Sequence, residues 1–303
     1  MKIRPAKLEQ GDTVGVVALS SPLKMEQLPL KLETVEKLGL RYKLGTTVSE
    51  HEGYLAGSDE ERVAELHAMV TDPEIKAIFC VRGGYGIGRL LDKIDYQLLE
   101  ENPKIIWGFS DVTSLHLAVN EFSNLVTFHG PMLSDGDSPL DELSAKMYHQ
   151  LFMPMEVQYS EMIAPLKTIV PGAVRGELTG GNLNRIVATL GTKFEIDVRD
   201  KIIVMEDIDE SLEHIDGMLN QLRLARKLEQ AAGFVVGDFK RLGEGVTEED
   251  LLRVVSHYLA PLGKPVLAGF KIGHCTPNIG IPLGVEAILD ADEKVLRILP
   301  GIQ

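Results

Sequence analysis

The chain has 303 residues, 44% of them apolar, and a formal net charge of −14 from 31 basic and 45 acidic side chains. That length suits roughly two domains of ~150 residues, and an acidic balance without clustered Lys and Arg argues against a nucleic-acid partner. Met1-Lys2-Ile3-Arg4-Pro5 lacks the apolar stretch of a signal peptide, no window reaches the ~20 apolar residues of a membrane span, and Cys80 and Cys275 are the only cysteines, so the expectation is a cytoplasmic protein with no membrane partner and no structural disulfide.

The first half alternates strand-like and helix-like runs. Residues 13–19 (TVGVVAL) form a short apolar run ending in Ser20-Ser21-Pro22, and a helix is expected from there to about Leu38. Residues 42–48 read as a weaker strand. Ser58 and Glu61 have the spacing of a capping box at the next helix start. Residues 75–81 (IKAIFCV) are the clearest buried strand, followed by the turn Gly83-Gly84-Tyr85-Gly86 and a helix over 87–94. A strand at 104–109, a helix at 112–122 and a strand at 125–128 complete the run. Repeated strand–helix alternation predicts an α/β fold with a doubly wound parallel sheet, whose ligands bind at the carboxyl ends of the strands.

Between 153 and 170 the pattern weakens, with Pro154 and Pro165 inside it and Pro171 just after. This reads as the linker between an α/β domain over 1–152 and a smaller β-rich α+β domain over 171–303. In the second half, strands are expected at 201–205, 233–236 and 265–270, helices at 211–226 and 248–262, and a hairpin over 285–299.

The residues that suggest chemistry lie at strand ends. In Gly108-Phe109-Ser110-Asp111 a serine sits where an apolar strand meets a helix, the placement of a nucleophile elbow. A serine there is also a common helix N-cap, and the tetrad lacks the second glycine of Gly-x-Ser-x-Gly. Arg82-Gly83-Gly84-Tyr85-Gly86-Ile87-Gly88 offers free backbone N–H groups. Its spacing fits a dinucleotide loop poorly, and an oxyanion donor facing Ser110 is the alternative. Glu206 follows the apolar run 202–205; Asp207, Asp209 and Glu210 come after it with no histidine pair at ligand spacing, so no metal is expected. His129 and His274 both follow strands and precede turn residues, and position alone does not choose between them. Cys275 has no elbow around it and ranks below Ser110 as a nucleophile.

Taken together, Arg82-Gly83-Gly84-Tyr85-Gly86, Trp107-Gly108-Phe109-Ser110-Asp111-Val112-Thr113, His129-Gly130-Pro131-Met132, Gly180-Gly181-Asn182-Leu183, Glu206-Asp207 and Gly273-His274 with Asn278 and Pro282-Leu283-Gly284 resemble the LD-carboxypeptidase family of serine peptidases. The resemblance runs over nearly the whole chain in the family's order. It implies a Ser110–Glu206–His274 triad, and so prefers His274 to His129. It also implies oxyanion donors at the backbone of Asp111 and Gly84, substrate contacts at Arg82, Gly83 and Asn182, a site between the two domains, and a homodimer. No cofactor is implied. The implied activity is release of the C-terminal D-alanine from murein tetrapeptides in peptidoglycan recycling. Alternatives are a microcin-immunity peptidase, which cleaves peptidyl-nucleotide antibiotics, and a noncatalytic ligand-binding protein of the same fold.

Overall fold

The computed structural model describes residues 2–303. In the first half the chain runs through β1 (Thr13–Val17), α1 (Leu28–Lys37), β2 (Arg41–Leu44), α2 (Asp59–Thr71), β3 (Ile75–Cys80), α3 (Tyr96–Glu101), β4 (Ile105–Gly108), α4 (Thr113–Phe122), β5 (Thr127–His129) and the short α5 (Glu142–Lys146). The five strands are parallel and lie in the order β2-β1-β3-β4-β5, a doubly wound arrangement whose order reverses between β1 and β3. Val14, Val16 and Val17 of β1 and Ala77, Ile78 and Phe79 of β3 are inaccessible to solvent, as strands covered on both faces require. Helix α2 opens on a complete capping box: Ser58 accepts from Glu61 N, and the Glu61 carboxylate accepts from Ser58 N.

Two expected elements are shorter than the sequence suggests. Beyond Leu44 the chain leaves the sheet for a 3-10 turn at Thr46–Val48, because Glu65 of α2 accepts from Thr46 Oγ1 and Thr47 N and so bends the backbone toward the helix. The helix expected over 87–94 is only a 3-10 turn at Ile87–Arg89. Gly86 enters it at φ 135°, and the Ile87 N–H donates to the Asp111 carboxylate. Gly86 and Gly88 remove the propensity that would extend the turn into an α-helix.

The second half contains β6 (Val157–Tyr159), β7 (Lys167–Val170), β8 (Ala173–Asn182), α6 (Leu183–Ala188), β9 (Ile202–Ile208), α7 (Leu212–Leu224), α8 (Lys227–Gln230), β10 (Gly233–Lys240), α9 (Glu248–Leu259), β11 (Val266–Ala268), β12 (Ile281–Leu283), β13 (Glu286–Asp290) and β14 (Val295–Ile298). An eight-stranded mixed sheet takes the order β6-β14-β13-β8-β9-β10-β11-β7, with a parallel centre of β8, β9, β10 and β11 and antiparallel strands outside it.

The compact units do not follow the boundaries read from the sequence. One unit holds the chain up to Met155 with Ile279–Gly284 and Pro300–Gln303; the other holds Glu156–Asn278 and Val285–Leu299. The stretch 153–170 carries β6 and β7, the two edge strands of the second sheet. Pro154, Pro165 and Pro171 lie outside those strands, with Pro171 directly after β7, a position that prolines tolerate at sheet edges. Strand β12 returns to the first unit because it pairs antiparallel with β5, and the terminal Gln303 N–H donates to Pro5 O at 3.0 Å. Among the described residues no helix is long and apolar enough to cross a membrane.

Candidate active site

In the first unit the loops at the carboxyl ends of β1, β3 and β4 meet around Ser110. Ser110 has φ 64°, a left-handed backbone that a side-chain-bearing residue adopts only when its surroundings hold it there. Phe109 is the N-cap of the 3-10 turn that follows β4, and Val112 is the N-cap of α4, so Ser110 is not the cap of either. The chain approaches it closely from β3: a Cβ on Gly83 would lie 2.9 Å from Ser110 Cβ and 3.1 Å from its Oγ. Gly84 has φ 114°, and the next amide, Tyr85 N–H, donates to Ser21 Oγ at 3.2 Å.

Asp111 fastens these loops together. Its buried carboxylate accepts from Ser20 Oγ at 2.8 Å and from Ile87 N at 2.9 Å, joining the turns after β1, β3 and β4 through one Oδ2. Behind the elbow, His116 Nε2–H donates to Gly108 O at 2.8 Å, and burial pulls the ring's pKa down to about 4, so it is neutral. Cys80 lies beneath Gly108, its thiol pushed up to about 12 by burial. Arg82 is half-buried and donates from Nη1 to Pro22 O at 2.6 Å. The His129 ring packs edge-on against Phe109 at 5.8 Å. In the same segment Pro131 O accepts from Trp107 Nε1 and Tyr148 Oη.

In the second unit Glu206 lies in the buried part of β9 with none of its surface exposed, and its Oε2 lies 2.7 Å from His274 Nδ1. With a carboxylate as acceptor, Nδ1 carries the hydrogen and Nε2 becomes the ring's basic nitrogen. The approach depends on Gly273: at φ 109° it carries the chain past the carboxylate, and a Cβ there would overlap Glu206 Oε2. Asn278 Oδ1 accepts from Gly273 N at 3.1 Å and closes the loop that carries His274. Cys275, the next residue, is half-buried, and burial raises its thiol pKa well above the ordinary range, which disfavours a thiolate.

Residues 14–130 match the profile of the LD-carboxypeptidase N-terminal domain, and residues 175–289 match that of the LD-carboxypeptidase C-terminal domain. The chain belongs to the LD-carboxypeptidase family. This LD-carboxypeptidase is 46% identical over 307 aligned positions to a probable murein peptide carboxypeptidase of Bacillus subtilis, covering 100% of this chain and 96% of the relative. It is 30% identical to a murein tetrapeptide carboxypeptidase of Pseudomonas aeruginosa, over 92% of this chain and 93% of that one. Among solved structures it is similar to a MccF-like protein from Bacillus anthracis, with a TM-score of 0.89 and 28% identity over 98% of this chain and 99% of that chain.

Other groups of this LD-carboxypeptidase act in support. The β8–β9 register sets Asn182 opposite Glu206. Asn182, expected from the sequence to contact substrate, is buried; its Oδ1 accepts from Arg185 N to cap α6, and its Nδ2 donates to Asp207 Oδ1 at 2.8 Å. Asp207 also accepts from Asn184 N, and burial, reinforced by the adjacent Glu206, pushes its pKa up to about 6. The bracing roles of Asp111, His116 and Asp207 are absent from the sequence reading. An acidic residue directly after two of the candidate residues, Asp111 after Ser110 and Asp207 after Glu206, was the only signal present. Among the described residues no group of three or more His, Cys, Asp or Glu side chains is placed to hold a metal.

Proposed function

We propose that this LD-carboxypeptidase releases the C-terminal D-alanine of murein tetrapeptides, using Ser110 as nucleophile, His274 as general base and Glu206 as the residue that orients and charges-balances the imidazole. The observation that carries the reading is the Glu206–His274 hydrogen bond of 2.7 Å, made by a wholly buried carboxylate. A buried carboxylate is costly unless a partner compensates it, and an imidazole held by Nδ1 is oriented for proton transfer at Nε2. The left-handed backbone of Ser110 supports the nucleophile assignment independently.

In this mechanism His274 Nε2 takes the Ser110 proton as Oγ attacks the carbonyl preceding the terminal D-residue. The oxyanion is met by the N–H groups of Asp111 and Gly84. Collapse of the intermediate breaks the C–N bond, and His274 returns the proton to the leaving amine. Water then hydrolyses the acyl-enzyme by the same relay. Gly83 leaves room beside Ser110, Arg82 meets the terminal carboxylate, and Asn182 acts through Asp207 and α6. A role in peptidoglycan recycling, a cytoplasmic location and a homodimeric state belong to this reading. The test is release of alanine from an L–D tetrapeptide and from its all-L analogue. The reading requires the D-terminated peptide to be far the better substrate, since the carboxylate and methyl together place the acyl carbon. Equal rates on the two would mark a general peptidase.

A further inference from the structure

Lys31 is a buried cation of the first unit, with 3% of its surface exposed. It projects from α1, and among the described residues its only hydrogen bond runs from Nζ to Ser134 Oγ at 2.9 Å, in the segment that follows β5. Ser134 in turn donates to Gly136 O at 3.0 Å, so its hydroxyl is fixed between the ammonium and its own loop. Arg82 lies close enough to act on Lys31 electrostatically, and among the described residues its one hydrogen bond goes to a backbone carbonyl. Among the described residues neither cation makes an ion pair.

Buried cations are ordinarily matched by carboxylates. Elsewhere in this chain they are: Arg62 meets Asp59 at 2.5 Å and Lys227 meets Glu195 at 2.9 Å. Lys31 and Arg82 instead repel each other. Burial and the Arg82 charge together pull the Lys31 pKa down to about 8, while Asp135 and Asp137, the other charged groups that face it, act in the opposite direction with smaller effect. The pair also adjoins the reactive serine in the chain, because Arg82 directly precedes Gly83, which packs on Ser110.

We propose that Lys31, held by Ser134, and Arg82 form a two-cation subsite for the free terminal carboxylate of the peptide, with Arg82 as the contacting group and Lys31 as the buried charge behind it. This rests on the carboxypeptidase reading and deepens it. The subsite makes the enzyme an exopeptidase: a peptide whose last residue is amidated or extended presents a neutral group to two cations that have no ion-pair partner among the described residues. Lys31 is a positioning residue in this scheme, and Ser134 fixes the direction of its ammonium.

The experiment compares a tetrapeptide acid with its C-terminal amide, using wild type, Lys31→Met and Arg82→Gln. Wild type should prefer the acid by on the order of 100-fold, and each variant should shrink that ratio about tenfold or more, chiefly through KM. For the acid, KM should rise as pH climbs through about 8, and Lys31→Met should lose that limb. A merely structural lysine would lower both substrates equally and leave the pH limb in place; either result overturns the subsite. If no tetrapeptide is cleaved, the carboxypeptidase reading fails, and the subsite is then read by titrating N-acetyl-D-alanine and its amide into the same three proteins. Binding of the acid alone, weakened in both variants, supports it. Equal binding of acid and amide, or indifference to both substitutions, overturns it.

Discussion

The two halves hold their candidate catalytic groups by different means. Around Ser110 the constraint is in the main chain: a left-handed serine, a glycine packed on its side chain, and one aspartate that accepts from Ser20 and from the Ile87 N–H. Around His274 the constraint is a side-chain pair, in which a wholly buried carboxylate holds an imidazole that is itself 13% exposed. Backbone constraint fixes an atom's position whether or not a charge is present. A side-chain pair fixes both position and tautomer, and it fails when either partner changes.

The largest effect therefore belongs to the pair. His274→Ala removes the base, and Glu206→Gln keeps the shape but loses the charge that fixes the tautomer; each should lower kcat by about 10⁴-fold with the fold intact. Steady-state kinetics on a D-terminated tetrapeptide beside a thermal melt checks this, and full activity in His274→Ala would contradict the base assignment.

The two close-packed glycines separate the halves more sharply. Gly83 does not sit at a positive φ, so Gly83→Ala should leave Tm nearly unchanged while its Cβ displaces Ser110, lowering kcat about 100-fold. Gly273 is at φ 109° and lies against Glu206, so Gly273→Ala should lose both stability and activity. Equal melting temperatures for the two variants would break the distinction.

Titration gives opposite signs in the two halves. The unfolded chain protonates His116 near its ordinary 6.5, whereas the folded protein resists until about 4, so this group's contribution is present above pH 6.5 and is lost as pH falls through 4. Asp207 is the reverse: its contribution is complete below pH 3.8 and is lost as pH rises through about 6. Each gap is worth about 3 kcal/mol by proton linkage. Urea unfolding of wild type against His116→Gln, whose amide can still donate to Gly108 O, and against Asp207→Asn should show the two slopes with opposite sign. Parallel slopes would contradict the burial argument. The smallest expected effect is that of chelation: activity should persist in EDTA, and loss restored by zinc would contradict a serine mechanism.

How much of this could be read from the sequence follows the same division. The elbow is legible because a small-residue turn at a strand end is a local pattern, and the alternating runs before it fix the parallel sheet. The Glu206–His274 pair is not local: the partners are far apart in sequence, and His129 stands at an equally plausible strand end. The β8 strand is hard to read because Gly176, Gly180 and Gly181 interrupt it and its side chains do not alternate cleanly. Without β8 the register that sets Asn182 opposite Glu206 is invisible. The return of β12 to the first sheet is likewise a tertiary fact, decided by pairing with β5 and not by the composition of 281–283.

Ser110 is the residue on which the proposed chemistry turns. Mass spectrometry of a murein tetrapeptide digest, run with wild type and with Ser110→Ala, should show loss of the terminal D-alanine with the first protein and an intact tetrapeptide with the second. Release of D-alanine at comparable rates by both would show that the left-handed serine at the end of β4 is not the nucleophile.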